Sequence, residues 1–113
     1  MAIITAKKNF TVRRRADFPV RLIFKDSSGT AVNITGFTVA AQVYDDARTT
    51  KFADFSVTYT DRVNGTVDLK LSDTDTANFS LNILKYDVLL TDPSGDKMYY
   101  LEGTLFISEG YTA

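Results

Sequence analysis

Two alternating apolar runs, Phe18-Pro19-Val20-Arg21-Leu22-Ile23-Phe24 and Phe37-Thr38-Val39-Ala40-Ala41-Gln42-Val43, restrict the fold of this chain more than any other feature. Successive side chains of a strand point to opposite faces, so a period of two marks a β-strand with one buried side. Between the runs lie Asp26-Ser27-Ser28-Gly29 and Asn33-Ile34-Thr35-Gly36. Asp and Asn favour turns by bonding their own backbone, and Gly does so by accepting positive φ. The unit is strand, turn, strand.

The same grammar fills the rest of the chain. It predicts strands over 9–14, 18–25, 37–44, 52–59, 66–71, 84–91 and 97–108, about seven in all, spaced as a sandwich requires. Asn64-Gly65 supplies two residues tolerant of positive φ for a tight hairpin. Asp92-Pro93-Ser94-Gly95 sets another turn through its proline. Residues 72–79 break the alternation and open with capping residues, which predicts one helical turn crossing between sheets. The 113 residues suffice for a single domain, 1–113, with its own core. The expected fold class is therefore all-β, an Ig-like antiparallel β-sandwich of about seven strands with one short helical turn.

Strand parity assigns the faces. Val20, Leu22, Phe24, Phe37, Val39, Ala41, Val43, Phe55, Val57, Tyr59, Val67, Leu69, Leu71, Tyr86, Val88, Leu90, Leu101, Leu105 and Ile107 fall inward. Tyr86 opens the penultimate strand, where sandwiches often tie a tyrosine hydroxyl to upstream backbone.

Catalysis finds little material. With no histidine and no cysteine, imidazole-assisted and thiolate nucleophiles are excluded, as are disulfides. No glycine-rich phosphate loop or nucleophile elbow is present. The carboxylate pairs Asp45-Asp46, Asp73-x-Asp75 and Asp92 with Asp96 sit in predicted turns, where Asp is favoured for local hydrogen bonding rather than for hydrolysis or Ca²⁺. The expectation is no catalytic residue, no metal site and no cofactor.

The first 25 residues hold Lys7, Lys8, Arg13, Arg14, Arg15, Arg21 and Lys25 against Asp17 alone, although the chain as a whole is at −1. Lys7 to Arg15 mixes cations with one aromatic, as phosphate-tracking grooves do. Charge that defends an edge strand against aggregation accounts for it better, because the chain carries no second basic strip. Nucleic acid is thus not an expected partner. No run approaches the roughly 18 apolar residues of a membrane span, and the N-terminus lacks the long apolar core of a secretion signal. Neither membrane association nor secretion is expected.

The outward parity is less ordinary. Leu89, Met98, Tyr100 and Phe106 in the last two strands, with Ala40 and Tyr44 in the third, would form one apolar patch if those strands share a sheet. Such patches mark protein interfaces. Arg13 and Arg15 share a parity and would meet acidic turns of a neighbour. The predicted interface is therefore Tyr44, Leu89, Met98, Tyr100, Phe106, Arg13 and Arg15, serving self-association or docking. A bulge at Gly103 that flips parity and buries Phe106 is the competing reading.

The segments Asp17-Phe18-Pro19, Phe24-Lys25-Asp26-Ser27-Ser28-Gly29 and Ile34-Thr35-Gly36, read with Asn64-Gly65-Thr66-Val67-Asp68-Leu69 and Leu101-Glu102-Gly103-Thr104-Leu105, resemble the Ig-like module of tailed-bacteriophage virion proteins. The nearest likeness is to the N-terminal domain of baseplate upper proteins. The resemblance implies a non-enzymatic structural component of a tail or baseplate, made in the host cytoplasm. It also implies assembly in several copies, with other virion subunits as partners. The alternatives are a carbohydrate- or host-receptor-binding module and a capsid decoration protein. A receptor site needs a concave, aromatic-lined surface and assembly a flat apolar patch rimmed by charge, so the placement of Tyr44, Tyr99, Tyr100 and Phe106 discriminates them.

Overall fold

The computed structural model describes residues 6–110. Ten elements follow in order: β1 (Ala6–Lys7), β2 (Phe10–Arg13), β3 (Phe18–Ile23), β4 (Thr38–Tyr44), β5 (Lys51–Asp54), β6 (Ser56–Asp61), β7 (Thr66–Leu71), α1 (Asp73–Ala77), β8 (Ile83–Thr91) and β9 (Lys97–Ser108). The larger sheet runs β1-β9-β8-β4-β5, with β2 also on β9. The smaller sheet runs β3-β7-β6. β1 and β2 lie parallel to β9, and the other pairs are antiparallel. The two sheets form an Ig-like sandwich, as the alternation predicts.

Between the sheets Phe24, Val43, Val67, Leu71, Val88, Leu90 and Leu105 are fully buried, and the other residues of inward parity are buried or half-buried. Val12, Val32, Ile34, Ala53, Phe79 and Leu84 complete the core from outside the predicted faces. The single strand expected over 52–59 is two strands. β5 pairs with β4 in the larger sheet, Phe55 continues by donating its N–H to the Ala41 carbonyl at 2.9 Å, and β6 then joins β7 in the smaller sheet. Ala53, Phe55, Val57 and Tyr59 keep one parity through the switch, so alternation does not reveal it.

A second departure falls in β9. Val88 faces Leu101 while Leu89 faces Tyr99, which leaves Tyr100 as the extra residue of a β-bulge. The bulge reverses the parity of everything before it. Met98 and Tyr100, expected outward, pack against the core: the Tyr100 ring meets Phe24 at 4.5 Å, and its hydroxyl donates to the Ile23 carbonyl at 3.1 Å. Tyr99 takes the outward place. The bulge anticipated at Gly103 is thus displaced, and Phe106 stays exposed.

Gly103 has a different duty. A Cβ there would lie 1.9 Å from the Lys8 carbonyl oxygen, so only glycine lets the break between β1 and β2 cross β9 this closely. That carbonyl accepts from the Tyr86 hydroxyl at 2.6 Å, and Asn9 Oδ1 accepts from the Thr104 N–H at 2.9 Å. The tyrosine tie expected from sequence is present, anchored on the N-terminal edge. Burial pushes the Tyr86 phenol up to about 12.

The turns are built by their acids. In the Asp26 and Asp92 turns one carboxylate oxygen accepts the N–H two residues on, the serine hydroxyl there and the N–H four residues on, and glycine takes positive φ. Asp45 closes a similar turn on Thr49 and Thr50, with Arg48 at φ 59° in the glycine place. Gly65 does not sit in a two-residue hairpin. Arg62 to Gly65 form a four-residue connection in which only Gly65 has positive φ, while Asn64 bonds Asp61. α1 connects the two sheets as expected and opens with a capping box, Ser72 and Asp75 bonding each other's backbone N–H. Thr76 on α1 is fully buried and exchanges hydrogen bonds with Ala16: its hydroxyl donates to the carbonyl and accepts the N–H.

Candidate functional site

β4, β8 and β9 do share a sheet, and their outer residues form rungs across it. Ala40, Leu89 and Tyr99 make one; Gln42, Asp87 and Glu102 the next; Tyr44, Lys85 and Thr104 the third; Ile83 and Phe106 lie beyond, with Thr11 of β2 beside them. The face that sequence parity foresaw as one apolar patch is therefore two surfaces.

One is concave. The first two rungs, Tyr44 and Lys85 of the third, and the Asp45 turn line a groove of about 410 Å³, with Tyr44 and Arg48 at one end and Tyr99 and Leu89 at the other. Asp87 stands in its middle, directly opposite Glu102. Burial pushes the Asp87 carboxyl up; nearby Arg48 draws it down and Glu102 raises it. Like charges opposed across a ladder are destabilising, so their retention costs the isolated fold something. The Arg48 guanidinium lies 5.8 Å from the centre of the Tyr44 ring, and Lys85 donates to the Thr104 hydroxyl at 2.8 Å.

The other surface is flat and apolar. Ile83 and Phe106 oppose each other and are 53% and 45% exposed, with exposed Leu81 just ahead in the chain. Arg13 lies on β2 next to this end and reaches the Ser108 hydroxyl at 3.3 Å.

Of the predicted interface residues, the structure brings Tyr44 and Leu89 into the groove and Phe106 onto the flat patch. Met98 and Tyr100 belong to the core side. Arg15 does not wait for a neighbour's acid: it bonds Glu109 at 2.7 Å and the Gly110 carbonyl within its own chain. Arg14 shares Glu109 at 2.8 Å and clamps the Phe79 carbonyl at 2.7 Å, and the two guanidiniums hold the Glu109 carboxyl below its usual range. Sequence reasoning missed Ile83, Asp87 and Glu102 as site residues and named Tyr99 only among the aromatic residues whose placement separates docking from receptor binding. Of the carboxylates it did single out, Asp45, Asp73, Asp75 and Asp92 accept hydrogen bonds in turns or at the start of α1. Among the described residues no cluster of three or more acids could hold a metal ion, and no helix is long and apolar enough to cross a membrane.

No protein-family model matches the chain, and no curated protein sequence matches it. Among solved structures it is similar to the filamin domain of Lin-41, at 19% identity and a TM-score of 0.48 over 88% of this chain and 84% of that one. It is also similar to the N-terminal domain of phage TP901-1 ORF48, at 12% identity and a TM-score of 0.63 over 95% of this chain and 97% of that one. At that identity the second likeness establishes a shared fold along nearly the whole length of both chains.

Proposed function

We propose that the chain is a non-enzymatic structural component of a phage particle, in its tail or baseplate, and that it docks to other virion subunits through the flat end of its larger sheet. The observation that carries this reading is the whole-length match in fold to a phage protein domain. The motif resemblance to baseplate upper proteins agrees with it. The Ile83–Phe106 pair supplies the chemistry: two large apolar side chains, each about half exposed on a regular ladder, gain roughly 1 kcal/mol each when a partner covers them, before the costs of association. Arg13 and Lys85 at the margin set orientation more than affinity.

Quantitative mass spectrometry of purified particles, from cells producing the phage that encodes this chain, tests the reading. The chain is expected in fixed ratio to the major tail protein after high-salt washing, and an Ile83→Asp/Phe106→Asp variant that folds normally is expected to be missing. Particles without the wild-type chain, or particles that take up the double variant equally, overturn it.

A further inference from the structure

We propose that Asn64–Gly65 is a latent deamidation site: closed in the folded domain, reactive once its connection opens, and unable to close again after reaction. The inference rests on the connection from Arg62 to Gly65 and is independent of the docking role of the flat patch.

The sequence supplies the reactive pair. Deamidation starts when the backbone nitrogen of the next residue attacks an asparagine side chain, and a glycine there has no side chain to shield that nitrogen. Asn64 is followed by Gly65, whereas Asn9, Asn33, Asn78 and Asn82 precede Phe or Ile. In the reaction the Gly65 nitrogen gives its proton to hydroxide and bonds to Asn64 Cγ. The Cγ–Nδ2 bond breaks, the departing nitrogen takes a proton from water and leaves as ammonia, and a five-membered imide remains. Water opens the imide at either carbonyl, giving aspartate or isoaspartate.

The fold holds each participant away from this course. The Gly65 N–H donates to the Arg62 carbonyl at 3.2 Å, which favours the protonated nitrogen over the anion that attacks. Gly65 is buried although Asn64 is exposed, and its carbonyl accepts from the Phe24 N–H at 2.9 Å. A Cβ on it would lie 2.6 Å from the Val32 carbonyl oxygen and 2.9 Å from that of Phe24, so the residue has no room to swing toward a side chain. The Asn64 amide donates to Asp61 Oδ2 at 2.8 Å, and its backbone N–H to Asp61 Oδ1 at 3.3 Å. Attack would build negative charge on the Asn64 side chain beside this carboxylate. Opening must therefore come first, and the rate follows the population of the opened connection.

Neither product closes again. Aspartate at position 64 would set a carboxylate against Asp61, whose own carboxyl is held below its ordinary value first of all by the Asn64 amide. Isoaspartate lengthens the main chain by one methylene between Arg62 and Gly65, where backbone packs on both sides of the glycine.

Peptide mapping by mass spectrometry of the chain held in mildly alkaline buffer, with and without denaturing urea, tests the proposal. Asn64 is expected to deamidate at least tenfold more slowly in the folded chain. Asp61→Ala is expected to speed the folded-state reaction severalfold, while Asp92→Ala, which loosens a turn elsewhere, leaves it unchanged. Chains isolated after deamidation are expected to unfold at lower urea than untreated ones. Equal rates in folded and unfolded chains overturn the closed state, and an Asp61→Ala rate matching that of wild type or of Asp92→Ala overturns the local hold. A deamidated chain with the wild-type urea midpoint overturns the one-way step.

Discussion

The Tyr86 hydroxyl donates to the Lys8 carbonyl at 2.6 Å, on the spot where a side chain at Gly103 would collide with the same oxygen. One oxygen thus fixes the N-terminal edge from two directions. Gly103→Ala must push β1 and β2 off β9 and should cost about 2–4 kcal/mol, the range of overpacking with loss of nearby hydrogen bonds. Tyr86→Phe leaves the carbonyl without its donor and should cost about 1–3 kcal/mol. Urea unfolding measures both; a Gly103→Ala midpoint equal to that of wild type would disprove the close approach.

Gly65 yields a prediction opposite to what its sequence context suggests. A two-residue hairpin would tolerate Asn at this place better than Val. Here any Cβ meets the Val32 carbonyl at 2.6 Å and the Phe24 carbonyl at 2.9 Å. Gly65→Asn and Gly65→Val should both lose more than about 2 kcal/mol, since backbone collision adds to the strain of positive φ. A benign Asn variant in thermal unfolding would return the turn to the simpler type.

Tyr100 separates folding from association. Because its ring packs on Phe24, Tyr100→Asp should destabilise the monomer by about 2–4 kcal/mol without needing a partner. Ile83→Asp, on an exposed side chain, should stay within about 1 kcal/mol of wild type. Equal denaturation midpoints for the two variants would contradict the bulge.

The pH response should be one-sided. With no histidine or cysteine, little titrates between pH 5.5 and 8, and stability is expected to be flat there. Turn hydrogen bonds hold the Asp26, Asp45, Asp61 and Asp92 carboxyls below their ordinary value. Hydrogen bonds from Arg21 and Thr60 take Asp68 down to about 2. Groups depressed in the folded state release protons on folding, so their stabilisation is complete above about pH 5 and is lost as pH falls toward 2. Asp87 acts in reverse: its raised pKa removes a little stability as pH rises through the carboxylate range. Above pH 10 the unfolded state gains, since Tyr86 stays neutral to about 12 only when folded. Thermal midpoints from pH 2 to 11 check the profile, and Asp68→Asn should flatten its acid limb.

Much of the fold was legible because alternation is a local signal. Inward parity from Val20 to Leu90 survived, as did the capped turn at Ser72 and the shared sheet of β4, β8 and β9. What escaped reading are events that leave alternation intact or shift it by one. The sheet switch at Phe55 preserves parity. The bulge at Tyr100 inverts it without the glycine or proline that would announce it, and that inversion exchanged Met98 and Tyr100 for Tyr99 in the outer face. Arg15 finds Glu109, 94 positions away, through the parallel pairing of β2 with β9, and no local pattern in the sequence announces that partner.

That parallel pairing also determines how the domain bears load. Ala6 lies beside Leu101 and Arg13 beside Ser108, so β1 and β2 run along the Leu101–Ser108 part of β9 in its own direction. Tension applied between residues 6 and 110 runs along β1, β2 and β9, and their shared hydrogen bonds are strained together in shear rather than peeled one at a time. A domain strung in series within a particle that must transmit force would resist extension by its N-terminal edge, and the Tyr86–Lys8 tie would be among the contacts loaded first.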